Sequence, residues 1–225
     1  MKTVLSWSSG KDAAWALHVL NETPGIEVVG LVTTINDTYD RVVMHGVRRA
    51  LVEAQSSAAG LKLHKVLLPN RCPNEIYKRR MSDLVTSLRE QGVEAMAFGD
   101  IFLEDVRAYR EANLEGSGIT PLFPIWQGDK VHSRTLAERM IDAGLRARIV
   151  CLDPRRLSRD FSGREFDRSL LADLPPDVDP CGENGEYHTI AYAGPMFDSP
   201  VELRLGETVS RDEFVYCDIL PADTP

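Results

Sequence analysis

Along the first half of the chain, short apolar runs alternate with segments of helical spacing. Residues 3–7 (Thr3, Val4, Leu5, Ser6, Trp7) predict a buried strand, and residues 13–20 a helix. Thr23, Pro24 and Gly25 break the chain. The β-branched run 27–34 then predicts a second strand buried on both faces, with a polar loop at 35–39. Residues 47–59 carry Val47, Ala50, Leu51 and Ala54 at helical spacing. Residues 63–68 predict a third strand, 73–91 a long helix with Pro73 near its first turn, and 94–98 a fourth strand ending in Gly99 and Asp100. A helix over 103–114 follows. This rhythm implies an α/β fold: a parallel sheet with helices on both faces. Gly116, Ser117 and Gly118 then interrupt it. The apolar stretch 119–126 contains Pro121 and Pro124, which suits a sheet edge or an exit from the sheet. The boundary falls near Trp126, dividing the chain into residues 1–126 and a smaller α/β unit, 127–225. That unit reads as a helix at 133–143, a strand at 147–152, a charged irregular stretch at 153–164 and a short helix at 165–174. A strand follows at 189–193, then a tail after Leu205 with one or two antiparallel strands.

Composition narrows the class. The 225 residues are 43% hydrophobic, enough for a core, and carry a net charge of −8. With a pI of about 5.2, this argues against general nucleic-acid binding. No apolar run approaches the ~20 residues of a membrane helix, and the apolar start stops at Ser6, too soon for a signal peptide. Cys72, Cys151, Cys181 and Cys217 are scattered without a CxxC pair, which weakens zinc and iron–sulfur readings and suits reduced thiols in the cytoplasm. The oligomeric state, including a homo-oligomer, stays open.

The chemistry begins where the first strand turns into the first helix. Ser8, Ser9, Gly10, Lys11 and Asp12 are small or polar, and such a turn points backbone N–H groups and the positive helix end at one spot. A phosphate fits there. Ser8 and Ser9 add hydroxyls, Gly10 permits close approach, Lys11 neutralises charge and Asp12 can cap the helix. The spacing is not that of the Walker loop, and an ordinary capped turn would look similar. In parallel sheets ligands sit beyond the carboxyl ends of the strands. Polar residues do gather there. Thr33 and Thr34 close the second strand, where backbone groups can read an adenine edge. Asp100 closes the fourth, where it can hold Mg²⁺ or a ribose, or simply cap a helix. His45 can contact phosphate or substrate, or be structural. Arg107 can hold ATP phosphates or a substrate carboxylate, or lie on a solvated helix face with Arg110 and Glu111.

A second dense stretch runs from Asp179 to Thr189: Asp-Pro-Cys-Gly-Glu-Asn-Gly-Glu-Tyr-His-Thr. Glu183 and Glu186 can bind ammonium, deprotonate an amine or orient a basic substrate. Asn184 can donate to a carboxylate or oxyanion, and His188 joins them as a substrate-binding candidate. A solvated glycine turn is the plain alternative.

The first loop resembles the PP-loop of the N-type ATP pyrophosphatases, SGGxDS, with Ser9 in place of its first glycine and Ala13 in place of its last serine. With the stretch 121–126 and the Gly182-Glu183-Asn184-Gly185-Glu186 loop, the chain resembles the diphthine–ammonia ligase family from its first strand to about Leu205. The resemblance implies a HUP-like (adenine nucleotide α-hydrolase-like) ATP-binding domain over 1–126 and a substrate-binding domain over 127–225. It implies ATP and Mg²⁺, adenylation of a carboxylate with release of pyrophosphate, then attack by ammonia. It implies Lys11, Asp12, Glu183 and Glu186 as catalytic residues, and Ser8, Ser9, Gly10, Thr33, Gly99 and Asp100 as further ATP ligands. The carboxylate is that of diphthine on elongation factor 2 or of a small metabolite. Adenylation of tRNA and nucleotide sensing without turnover are the other readings.

Overall fold

The computed structural model describes residues 1–211 and 213–222; position 212 and residues 223–225 of the expected second unit lie outside the described residues. Strand β1 (Lys2–Ser6) lies between β2 (Glu27–Asn36) and β5 (Ala95–Ala97), parallel to both. β4 (Lys62–Leu68) continues the sheet beyond β2, and β6 (Thr120–Leu122) beyond β5, again in parallel. Helices α1 (Lys11–Asn21), α2 (Arg49–Ala58), α3 (Asn74–Glu90) and α4 (Glu104–Leu114) complete this half. Successive residues of the central strands enter opposite cores, Leu5 and Leu31 on one side, Val4 and Val32 on the other. Burial on both faces is why these strands read as continuous apolar runs. Pro121 sits on β6 at the sheet edge, where a residue without an N–H is tolerated.

Two features differ from the sequence expectation. β2 does not end at Thr34 but runs to Asn36, because β4 stays paired with it through Leu68 after β1 has left at Ser6. A short strand β3 (Arg41–Val42) then folds back antiparallel on Ile35 and Asn36. On α2 the buried face is Leu51, Val52, Gln55 and Ser56, while Ala50 is exposed. Val47 precedes the helix, so it does not set the phase of the stripe.

The second half forms an antiparallel sheet, β8-β7-β10-β9, from β7 (Arg146–Leu152), β8 (Tyr187–Ala193), β9 (Leu203–Arg211) and β10 (Phe214–Pro221). Helices α5 (Ser133–Asp142) and α6 (Arg168–Asp173) accompany it. The tail is more than an appendage. β10 lies inside the sheet, and its Asp218 pairs with Arg41 (2.9 Å) and Arg48 (2.6 Å) of the first half. One apolar core runs through both halves, joining Trp7, Leu17 and Leu51 to Leu152, Tyr187 and Ile190. Among the described residues no helix is long and apolar enough to cross a membrane.

Candidate functional site

The 8–12 loop leaves the sheet where β1 and β5 lie side by side, the switch point of a doubly wound sheet. Gly10 takes the N-cap of α1 with φ −81° and ψ 170°, and no side chain caps it. Asp12 therefore lies within the first turn and does not cap, a correction to the sequence reading. The Lys11 N–H donates to Thr189 Oγ1 at 3.0 Å, and the Gly10 N–H to Ser8 Oγ at 3.3 Å. A Cβ on Gly10 would stand 3.2 Å from both His45 Cε1 and the Thr189 carbonyl oxygen. A Cβ on Gly99 would stand 2.9 Å from the Asp12 carbonyl carbon. The loop after β5 thus lies directly on the first turn of α1, and only glycine allows it. Ser9 is fully buried with φ +73°. That left-handed backbone is one that glycine adopts more readily than serine. Ser9 Oγ and Thr33 Oγ1 are buried without a hydrogen-bond partner among the described residues. Thr33 lies inside β2 rather than at its end, and the neighbouring Thr34 carbonyl is taken by the Val43 N–H.

Lys11 is held by groups of both halves. Its side chain is 2% exposed, and Nζ donates to Asp12 Oδ1 and Oδ2, both at 2.8 Å, and to the Cys181 carbonyl oxygen. The rings of Phe166 and Tyr187 stand 5.4 Å and 5.6 Å away. Burial opposes the charge, but Asp12, with Cys181 and Glu183 beyond it, outweighs burial and raises the ammonium pKa. Lys11 is therefore a tie between the two halves, with its three donors already taken.

The two glutamates of the 179–189 loop part company. Glu183 reaches the first half: its Oε1 accepts the Ile101 N–H at 2.7 Å, one residue beyond Asp100. Burial, then repulsion from Asp12, pushes its pKa up to about 8. Glu186 is 0% exposed and turns back into its own loop. Its Oε1 accepts from the Asp179 N–H (3.1 Å) and Asn184 Nδ2 (3.0 Å), with Arg156 at 3.5 Å. Asp179 Oδ2 in turn accepts the N–H groups of Cys181 and Glu183, both at 3.0 Å. Asn184 thus meets Glu186 rather than open solvent alone. His188 stacks on His45, with ring centroids 4.6 Å apart.

Asp100 pairs with Arg110 Nε at 3.4 Å; burial raises its carboxyl pKa against the pull of Arg110. It does not cap α4, whose N-cap is Leu103 without a side-chain bond. Among the described residues no group of three His, Cys, Asp or Glu is arranged to hold a metal by itself. Arg107 lies between the Phe123 and Trp126 rings, 4.9 Å from each, and pairs with Glu111 at 2.9 Å. The site therefore gathers Ser8, Ser9, Gly10, Asp12, Gly99, Asp100, Glu183, His45 and His188, and leaves Arg107 and Glu186 to other contacts.

The sequence reading missed Gln55. It is 0% exposed, accepts Trp7 Nε1–H at 2.9 Å, and donates to the carbonyls of Ser9 (2.9 Å) and Ala191 (2.6 Å). Its signal was a polar residue on the buried face of α2. Thr189 was part of the second motif but was given no role; it joins β8 to the first turn of α1.

Two family models match the chain, one after the other. Residues 1–121 match the diphthamide synthase N-terminal domain and residues 132–223 its C-terminal domain. A diphthine–ammonia ligase of Schizosaccharomyces pombe is 24% identical over 237 residues, covering 96% of this chain and 38% of that protein. The chain thus spans well under half the length of that relative. With both domains matched in order, the chain belongs to the diphthamide synthase family.

Proposed function

We propose that the protein is an ATP-dependent, AMP-forming carboxylate–ammonia ligase of the cytoplasm. One observation carries this: Glu183, from the second motif, accepts a hydrogen bond beside Asp100, against the first turn of α1. The two motifs make one site, with a loop suited to phosphate on one side and a carboxylate suited to ammonium on the other.

ATP is a substrate of this reaction. Its phosphates would lie against the start of α1, where the helix dipole favours negative charge. The N–H groups of Gly10 and Lys11 are met by the hydroxyls of Ser8 and Thr189, which can re-pair with phosphate oxygens. The unpartnered hydroxyls of Ser9 and Thr33 supply further donors. Mg²⁺ is commonly held by one or two carboxylates together with substrate phosphates. Asp12 and Asp100 fit that role, and the ion would neutralise charge on the departing pyrophosphate. Glu183 acts on ammonium. Its pKa of about 8 matches a base working near neutral pH. Deprotonated, it attracts NH₄⁺ and takes one proton, leaving NH₃ to displace AMP from the activated acid. Lys11 and Glu186 hold the two loops in register.

The acid is that of diphthine or of a small metabolite. The test is product analysis of ATP, Mg²⁺ and ammonium with candidate carboxylates, including diphthine-bearing elongation factor. AMP and pyrophosphate that depend on the carboxylate are expected. ADP and phosphate would overturn the reading.

A further inference from the structure

His45 and His188 come from different halves of the chain and meet over the loop. Their rings are 4.6 Å apart with 31° between planes. His45 Cε1 stands 3.2 Å from the point where a Gly10 side chain would begin. The imidazole pair therefore sits on the first turn of α1, beside the Thr189 carbonyl. His45 Nδ1 is buried with no hydrogen-bond partner among the described residues. An unpartnered buried nitrogen costs stability, so its retention asks for a ligand. On the reading of the 8–12 loop as a phosphate site, we propose that the His45–His188 pair takes up a proton when a polyphosphate binds and gives it back when pyrophosphate leaves.

The charges around the pair support this. Burial, then the proximity of His188 and Lys11, lowers the pKa of His45 well below its usual value, against a backbone hydrogen bond with Thr189. Burial, then Lys11, lowers that of His188 to about 4. Lys11 of α1 is the charged group facing both rings, and Asp12, Cys181 and Glu183 are its own neighbours. On the other side, Arg41 donates to the carbonyl of Gly46, next to His45. Arg41 and Arg48 are both held by Asp218. With the site empty, both imidazoles are neutral at pH 7. Several negative charges placed at the helix start reverse the local field and favour the imidazolium form. The proton adds an N–H donor where His45 Nδ1 now has none. No covalent bond changes; one proton moves from solvent to the pair and back. The pair titrates as a unit, so either ring can carry it.

The test follows the histidine C2 protons by NMR from pH 5 to 8, with and without inorganic pyrophosphate, using His45→Gln and His188→Gln to assign them. In the free protein neither ring should show a titration midpoint within this range. With pyrophosphate bound, at least one pKa should rise by about 1–3, and each variant should flatten the pH dependence of pyrophosphate affinity. Pyrophosphate binding with both pKa values unmoved overturns the proton uptake alone. No binding by calorimetry at any pH overturns the phosphate site and the proton uptake together.

Discussion

The 8–12 loop and the 179–189 loop face each other in one site, and they are held in different ways. The first is set mainly by backbone: a left-handed Ser9, a glycine N-cap, and a second glycine that admits the chain after β5, with the Gln55 and Thr189 side chains bonded to its main chain. The second is set by side chains. Asp179 ties two N–H groups and Glu186 gathers Asp179, Asn184 and Arg156, leaving Glu183 to project into the first half. A backbone-built site survives changes of side chain that leave φ and ψ alone. A side-chain-built site depends on every partner, and two identical residues in it can do opposite work.

The sharpest test of that difference is Glu183 against Glu186. Glu183→Gln should slow amide formation by about 10²–10⁴-fold, the usual contribution of a general base, with ATP affinity little changed. The same change should stabilise the protein at pH 7.5. The folded-state pKa of Glu183 is raised to about 8, so the folded chain holds a proton that the unfolded chain has lost. Stability contributed by the neutral acid is whole below its ordinary pKa and falls as pH rises through about 8. A neutral glutamine removes that loss, and thermal unfolding of the variant should be flatter between pH 5 and 8. For wild type, kcat/KM should rise as pH approaches 8, since the base must be ionised. Glu186→Gln should behave oppositely, losing stability over the whole range. Equal effects of the two variants on rate and stability would erase the distinction.

Lys11 joins the two loops, and its loss should be costly to stability. Removing one member of a fully buried ion pair costs about 3–5 kcal/mol, and this pair, with the Asp12 side chain 26% exposed, falls toward the lower end of that range. Lys11→Ala should therefore unfold at much lower denaturant, with Asp12→Ala close behind. Wild-type stability in Lys11→Ala would mean that the loops are held apart from this tie.

Gln55→Leu should come next. The change orphans the Trp7 indole N–H and loosens the Ser9 and Ala191 carbonyls, at roughly 1–3 kcal/mol for each group left unpaired. A drop in Tm with a parallel loss of nucleotide affinity is expected, because the Ser9 carbonyl would be left to the Ala191 N–H alone of the two donors that hold it. Gln55 also marks where sequence reading stops. The parallel sheet was legible because strands buried on both faces are continuous apolar runs, and the 8–12 loop as a turn of small and polar residues between an apolar run and a segment of helical spacing. The second loop was legible only as a concentration of functional groups. Nothing in the spacing of Glu183 and Glu186 says which one turns inward. That depends on Arg156 and Asp179 for Glu186, and on the Ile101 N–H, distant in sequence, for Glu183. The burial of Lys11 had the same cause: its partners Cys181, Phe166 and Tyr187 lie far along the chain. Thr33 was misplaced because β4 and β3 lengthen β2 from outside it.

The smallest expected effect tests the backbone side of the comparison. Ser9 holds φ +73° with its hydroxyl buried and unpartnered. For an L-residue the left-handed region costs roughly 1–2 kcal/mol. Glycine escapes that cost but loses about 0.5–1 kcal/mol through the greater freedom of its unfolded chain. Ser9→Gly should therefore be stabilising by about 1 kcal/mol, raising Tm by about 2–4 °C in a chain of this size. ATP affinity separates the two uses of the residue. If Ser9 Oγ donates to a phosphate, affinity falls as Tm rises; an unchanged affinity assigns the phosphate contacts to backbone N–H groups. A lower Tm would show that the hydroxyl, not the backbone, holds this turn, and the 8–12 loop would join the 179–189 loop as a site built from side chains.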